Sequence, residues 1–180
     1  MAKLYFRYGA MNSGKSTALM QVAHNYEEQG MRVLILKPKV DTKGSGDLVS
    51  RLGVRRPADL LVPPDMDLVE AVRAASSEGR PLACVLCDES QFLTAEQAEQ
   101  LFMVTVELNI PVICYGLRSD FSLKGFPGST RLLELAHTIE ETAGAAQLSI
   151  FFSPSTVSMP SRTSTLTSSG STPGTSMWMV

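Results

Sequence analysis

Two short stretches hold the residue types on which phosphate chemistry depends. The first is Gly9-Ala10-Met11-Asn12-Ser13-Gly14-Lys15-Ser16-Thr17. It fits G-x-x-x-x-G-K-[ST], the phosphate-cradling P-loop. Such a loop turns its backbone N–H groups inward around a polyphosphate, and glycine reaches the required dihedrals without a Cβ clash. Gly14 stands where the loop passes into a helix, so the positive helix end faces the anion. Lys15 can reach the β- and γ-phosphates, and Ser16 can offer its hydroxyl to Mg²⁺. The second stretch is Asp88-Glu89, which ends the apolar run Leu82-Ala83-Cys84-Val85-Leu86-Cys87. An apolar strand that delivers an acid to its C-terminal edge supplies the other half of a nucleotide site, the Walker B element. Asp88 is expected to serve Mg²⁺, directly or through water. Glu89 is then free to orient or deprotonate an attacking hydroxyl.

Other chemistry-bearing residues give weaker signals. Phe121 and Phe126 flank a Gly/Pro-containing loop at the same predicted sheet edge as Asp88. They could stack a base or anchor the loop to the core, and spacing leaves both open. Cys84 and Cys87 form C-x-x-C, yet residues three apart on a strand point to opposite faces, so a shared metal is not expected. The three cysteines read as buried reduced thiols. His24 and His137 lack partners for a triad or a metal and read as surface or packing residues.

The elements that would position these groups follow the order of an α/β fold. Lys3–Tyr8 predicts a strand entering the loop. Ser16–Gln29, with Leu19, Val22, Ala23 and Tyr26 on one side, predicts the helix leaving it. Met31–Lys37 predicts a buried strand closed by Pro38, completing a βαβ unit and hence a parallel sheet. Asp41–Gly53 is polar and reads as a mobile surface loop. Leu60–Val62 fits an edge strand, and Asp67–Ser77 a helix opened by Asp67. Thr94–Leu108 reads as a helix with a Thr94/Gln97 capping box, stopped by Asn109. Ile110–Tyr115 fits another buried strand, and Arg131–Glu141 a short helix or strand. Together these predict one α/β core, a mostly parallel sheet flanked by helices.

Composition bounds the partners. The chain has 180 residues, 44% of them hydrophobic, and a net charge of −2. One domain with a sizeable core is expected. There is no basic surface for nucleic acid, no apolar run of membrane-spanning length and no signal peptide, so a cytoplasmic setting is expected. The composition changes near Glu141. From Thr142 to Val180, 17 of 39 residues are Ser or Thr and the only charge is Arg162. Such a segment cannot bury enough apolar surface to offset its ordering entropy, so most of it is expected to be disordered, with Leu148–Phe152 an apolar patch able to dock.

The P-loop, Asp41-Thr42-Lys43, Asp88-Glu89-Ser90-Gln91-Phe92 and Tyr115-Gly116-Leu117-Arg118-Ser119-Asp120-Phe121, in this order and spacing, resemble the thymidine kinase family of the cellular and bacterial type. The resemblance covers residues 1–141 and implies a RecA-like P-loop core, α/β with a mostly parallel sheet flanked by helices. It implies that ATP, with Mg²⁺, phosphorylates the 5′-hydroxyl of thymidine or deoxyuridine to give the monophosphate. It implies Glu89 as the base that takes the hydroxyl proton, and Ser16 and Asp88 as the residues serving Mg²⁺. ATP would meet Gly9 to Thr17, Asp41, Thr42, Lys43, Asp88 and Gln91. Met11, Phe92, Leu117, Phe121 and Phe126 would surround the nucleoside base. A homo-oligomer, a tetramer in the family, and feedback by dTTP are also implied.

The resemblance stops after Ile139-Glu140-Glu141. Members of the family continue into a zinc ribbon with two cysteine pairs and a lasso loop that bonds the thymine. No cysteine follows Cys114 here, so the zinc site is expected to be absent and a reading-frame shift is suspected near Thr142. Without those parts the nucleoside side would stand open, admitting water and weakening positioning. The competing expectation is therefore a module that binds ATP or dTTP with impaired turnover. A RecA-like ATPase coupled to a partner is a third reading, against which stands the lack of a basic groove.

Overall fold

A computed structural model describes residues 1–40, 47–49, 53 and 55–142. Its elements are β1 (Leu4–Tyr8), α1 (Lys15–Glu28), β2 (Arg32–Pro38), β3 (Asp47–Val49), β4 (Arg55–Pro57), β5 (Leu60–Val62), α2 (Leu68–Ser77), β6 (Leu82–Cys87), α3 (Ala95–Glu107), β7 (Val112–Gly116), α4 (Pro127–Leu135) and β8 (Thr138–Glu141). A 3₁₀ turn, Ser90–Phe92, lies between β6 and α3.

Among the described residues, six strands form one sheet in the order β5-β2-β6-β7-β1-β8. Every neighbouring pair in it is parallel. The expected α/β architecture is met. The chain runs from β1 outward to β2, then returns through β6 and β7 and passes β1 to reach β8. Right-handed crossovers in opposite directions must put their helices on opposite faces. The packing agrees. Leu19 and Ala23 of α1 meet Val33, Ile35, Cys84 and Leu86 on one face. Leu68 and Val72 of α2, Leu101 and Val104 of α3 and Leu132 of α4 meet Leu34, Leu36, Val85 and Cys87 on the other. Both faces are covered, which is why the central strands read as unbroken apolar runs. Cys84 and Cys87 fall on opposite faces, as their spacing requires, and all three cysteines are free and buried.

Local signals hold at the helix ends. The Asp67 side chain accepts from the Glu70 N–H to open α2. Thr94 and Gln97 form the complete capping box of α3. Asn109 takes a positive φ of 53° just past the last turn. The 131–141 segment contains both alternatives: it finishes α4 and then forms β8 beside β1. Pro38 belongs to β2 as its last residue, paired with Val62, and does not close the strand ahead of itself.

Part of the expected Asp41–Gly53 loop is a strand. β3 pairs antiparallel with β4 as a ribbon, and Leu48 is fully buried against the α1 face. Asp41, Thr42 and Lys43 lie outside the described residues. So does the tail after Thr142, including the Leu148–Phe152 patch. Among the described residues, no helix is long and apolar enough to cross a membrane.

Candidate functional site

The C-terminal ends of β1, β6 and β7 reach one edge of the sheet, with β7 between the other two. Tyr8 pairs with Gly116, and the Gly9 N–H donates to the Gly116 carbonyl at 3.3 Å. The loop that begins at Gly9 is thus tied to the end of β7. It enters α1 through Gly14, whose φ of 86° belongs to the left-handed region where a side chain would be strained. α1 consequently points its unpaired N–H groups along this edge.

Lys15 folds back over the loop. Its ammonium donates to the carbonyls of Gly9 (3.1 Å) and Ala10 (2.6 Å) and to the Ser13 hydroxyl (3.3 Å). Burial lowers its pKa, and Asp88 works against that shift. The Ser16 hydroxyl donates to both carboxylate oxygens of Asp88, at 3.2 and 3.4 Å. Asp88 is 4% exposed. Desolvation raises its pKa first and the charge of the neighbouring Glu89 adds to this, while the Glu89 backbone N–H, the Ser16 hydroxyl and Lys37 oppose it. A small hydroxyl beside a carboxylate is a hard-oxygen donor pair, the chemistry that Mg²⁺ prefers.

These residues line a hollow of about 490 Å³ that includes residues 11–17, Val49, Asp88, Glu89, Gln91, Phe92 and Leu117. A second hollow of about 660 Å³ opens beside it, bounded by Tyr8, Met11, Leu117, Arg118, Phe121 and Phe126 among others. Met11 and Leu117 border both. The two phenylalanines part company. Phe126 is half-buried and meets Phe92 edge to face, ring centroids 5.8 Å apart, so it anchors the loop. Phe121 is 100% exposed, at the tip of a turn held by Asp120, whose carboxylate accepts from the N–H groups of Ser122 and Lys124. Gln91 is buried, and its side-chain carbonyl accepts from the Leu117 N–H at 3.1 Å.

Three residues at the site were not among those expected from the sequence. Val49 reaches the first hollow from β3. Lys37, at the end of β2, donates to the Asp47 carbonyl at 2.8 Å and sets a positive charge near Asp88. Arg118 lies over the Tyr8 ring, 5.6 Å from its centroid. Lys37 follows an apolar strand toward the P-loop edge, a position that could have marked it.

Other residues are settled elsewhere. His24 pairs with Glu28 at 3.3 Å on the surface of α1. His137 accepts from the Leu4 N–H through Nδ1 and stacks on Phe102. Burial pushes the Cys84 thiol up to about 12, an unreactive state. Among the described residues, no group of three or more His, Cys, Asp or Glu side chains could hold a metal. A further hollow of about 700 Å³ lies near the start of β2. Its Arg32 and Arg80 are engaged by the carbonyls of Ala75, Glu78, Arg80 and Gly30, and Arg56 by Glu27. It carries no nucleophile or base arrangement.

A family model described as thymidine kinase matches residues 2–146. A protein of Ruegeria pomeroyi named thymidine kinase is 47% identical over 142 residues, which is 78% of this chain and 71% of that protein. The thymidine kinase of Enterobacteria phage T4 is 46% identical over the same share of this chain and 72% of its own. That of Xanthomonas axonopodis pv. citri is 50% identical, covering 78% and 68%.

Proposed function

Since the chain belongs to the thymidine kinase family, its function is that of a thymidine kinase, a phosphotransferase that uses ATP, and we propose how its own residues serve the transfer. In this reading the γ-phosphoryl group of ATP passes to the 5′-hydroxyl of thymidine or deoxyuridine. The polyphosphate enters the hollow between the P-loop and Asp88. Lys15 exchanges the loop oxygens it now bonds for β- and γ-phosphate oxygens, and the N-terminal N–H groups of α1 face the same anion. Gly9 to Thr17 line the phosphates. Gln91 lines the hollow with them, and Asp41, Thr42 and Lys43 follow as further ATP contacts on resemblance alone.

Ser16 and Asp88 fit Mg²⁺ as a hydroxyl and a carboxylate held side by side. When bound there, the ion would offset phosphate charge. Glu89 follows Asp88 directly and is the base that takes the 5′-hydroxyl proton. Met11, Phe92, Leu117, Phe121 and Phe126 form the nucleoside side. The observation that carries this assignment is the Ser16–Asp88 contact, which brings the two motifs together from opposite ends of a 72-residue separation.

The wider setting in this reading is cytoplasmic, consistent with three free buried cysteines. A homo-oligomer and inhibition by dTTP belong to the same proposal, as does a boundary between the core and the Ser/Thr-rich segment near residue 141. The exposure of Met11 and Phe121, 77% and 100%, favours keeping the second reading, nucleotide binding with slow turnover. The test is thymidine phosphorylation by the 180-residue chain with Mg·ATP, beside its Glu89→Gln variant. Transfer that is lost in the variant, with Mg·ATP binding kept, is the expected result. Full transfer by Glu89→Gln would remove Glu89 from the role of base. Binding with no transfer by the unmodified chain would establish the second reading.

A further inference from the structure

Glu89 occupies a backbone state that residues with side chains seldom adopt. Its φ and ψ are 48° and 38°, in the left-handed region. Such a conformation persists only where the surroundings over-determine it. The two side chains that follow do so. The Ser90 hydroxyl donates to the Tyr115 carbonyl at 3.0 Å, and the Leu117 N–H donates to the Gln91 side-chain carbonyl at 3.1 Å. Ser90 is 0% exposed and Gln91 5%. Both partners lie at the end of β7, on either side of Gly116. The fit there is close: a Cβ on Gly116 would stand 2.7 Å from Ser90 Oγ and 3.0 Å from Gln91 Oε1. The turn after β6 is therefore pressed onto the neighbouring strand and stitched to it twice.

The second stitch joins two parts of the site. Gln91 lies two residues from Glu89, and Leu117 borders both hollows. We propose that Gln91 is a positioning residue for phosphoryl transfer, its side-chain carbonyl locking the Glu89 turn to Leu117 so that base and nucleoside wall share one register. The proposal rests on Glu89 as the base. It goes beyond the ATP contact given to Gln91 above, because it places the larger effect in the chemical step and the smaller one in nucleotide affinity. Glutamine is well matched to this position, because it accepts the Leu117 N–H without adding a third carboxylate beside Asp88 and Glu89.

The test uses the full chain with Gln91→Met, which keeps the length of the side chain and removes the acceptor. The expected result is a fall in kcat of about tenfold or more, as a displaced base implies, with the affinity for a non-hydrolysable Mg·ATP analogue, read by calorimetry, changed far less than kcat. Ser90→Ala removes the other stitch with little change of volume and should give the same pattern. Combined with Glu89→Gln, Gln91→Met should add no further loss to the residual rate, since a group that acts only through the base is silent without it. An unchanged kcat in Gln91→Met would overturn the proposal. So would weaker analogue binding with kcat intact, or equal losses with and without Glu89. Full transfer by Glu89→Gln alone would instead overturn the base reading, a separate result.

Discussion

Asp88 shows how a residue proposed for binding can strain the fold that carries it. Its carboxylate is nearly buried, beside Glu89, and both conditions raise its pKa. A carboxyl whose folded pKa lies above its unfolded value weakens the fold as pH rises through the folded pKa. In the proposed role that charge meets a cation, and without one it stays buried and uncompensated. Asp88→Asn should therefore raise the melting temperature of the unliganded protein, because the asparagine carbonyl still accepts the Ser16 hydroxyl. The same change should lower Mg²⁺-supported transfer by about a hundredfold or more, if the carboxylate serves the ion. The gain in stability should shrink as pH falls toward the ordinary carboxylate range, where Asp88 is neutral in the folded chain. Thermal melts across pH, run beside the kinase assay, check both halves. A lower melting temperature at neutral pH would mean that Ser16 and Lys37 already compensate the buried charge.

Among the elements, the β3–β4 ribbon is the least self-sufficient. Two three-residue strands cannot sustain themselves in water. The ribbon is held by Leu48 in the α1-side core, by Lys37 on the Asp47 carbonyl and by the Arg56–Glu27 ion pair at 2.5 Å. It carries Val49 to the wall of the phosphate hollow. Leu48→Ala should thus act mainly on that wall: the KM for ATP rises several-fold with kcat less changed. Leu101→Ala, in the shared core of α3, should instead unfold the molecule more easily, by about 2–5 kcal/mol. Steady-state kinetics and denaturant midpoints separate the two, and equal losses of stability would show the ribbon to be part of the global unit. This element also marks the limit of what the residues told in advance. The P-loop, the Asp88–Glu89 ending and the Thr94/Gln97 box are local patterns, and the central strands stood out as unbroken apolar runs because both sheet faces are buried. β3 is three residues inside a polar stretch and read as loop, whereas the equally short β5 was legible because Leu60-Leu61-Val62 is apolar throughout. The stitch from Gln91 to Leu117 depends on β6 and β7 lying side by side, a fact of topology. Spacing could not divide Phe121 from Phe126, because exposure is decided by the Asp120 turn and by Phe92.

Across the whole molecule, the described residues proposed for nucleotide binding sit at one edge of the sheet, the edge where ligands bind in open α/β folds. The P-loop hollow is walled by α1, β3, β6 and the Ser90–Phe92 turn. A ligand held there bonds to parts that separate on unfolding, so it must stabilise the fold as a unit. At a hundred times its dissociation constant it adds about 2.7 kcal/mol. For a chain of this size that is a rise of about 5–10 °C in melting temperature. A non-hydrolysable Mg·ATP analogue should produce this shift in the unmodified chain and in Glu89→Gln alike, since Glu89, in its proposed role as base, does not hold the phosphates. Lys15→Met should lose most of it. Thymidine presents a contrast, because Met11, Phe121 and Leu123, near the nucleoside hollow, are 77%, 100% and 87% exposed. Apolar surface that still faces water on binding contributes little. Thymidine at the same concentration should therefore shift the melting temperature far less than the analogue does. Equal shifts would mean that this hollow closes around the nucleoside as firmly as the P-loop closes around phosphate, and slow turnover would lose its structural basis. A large analogue shift with a negligible one for thymidine would place any limit on the rate in how the acceptor is held, leaving the ATP half of the site intact.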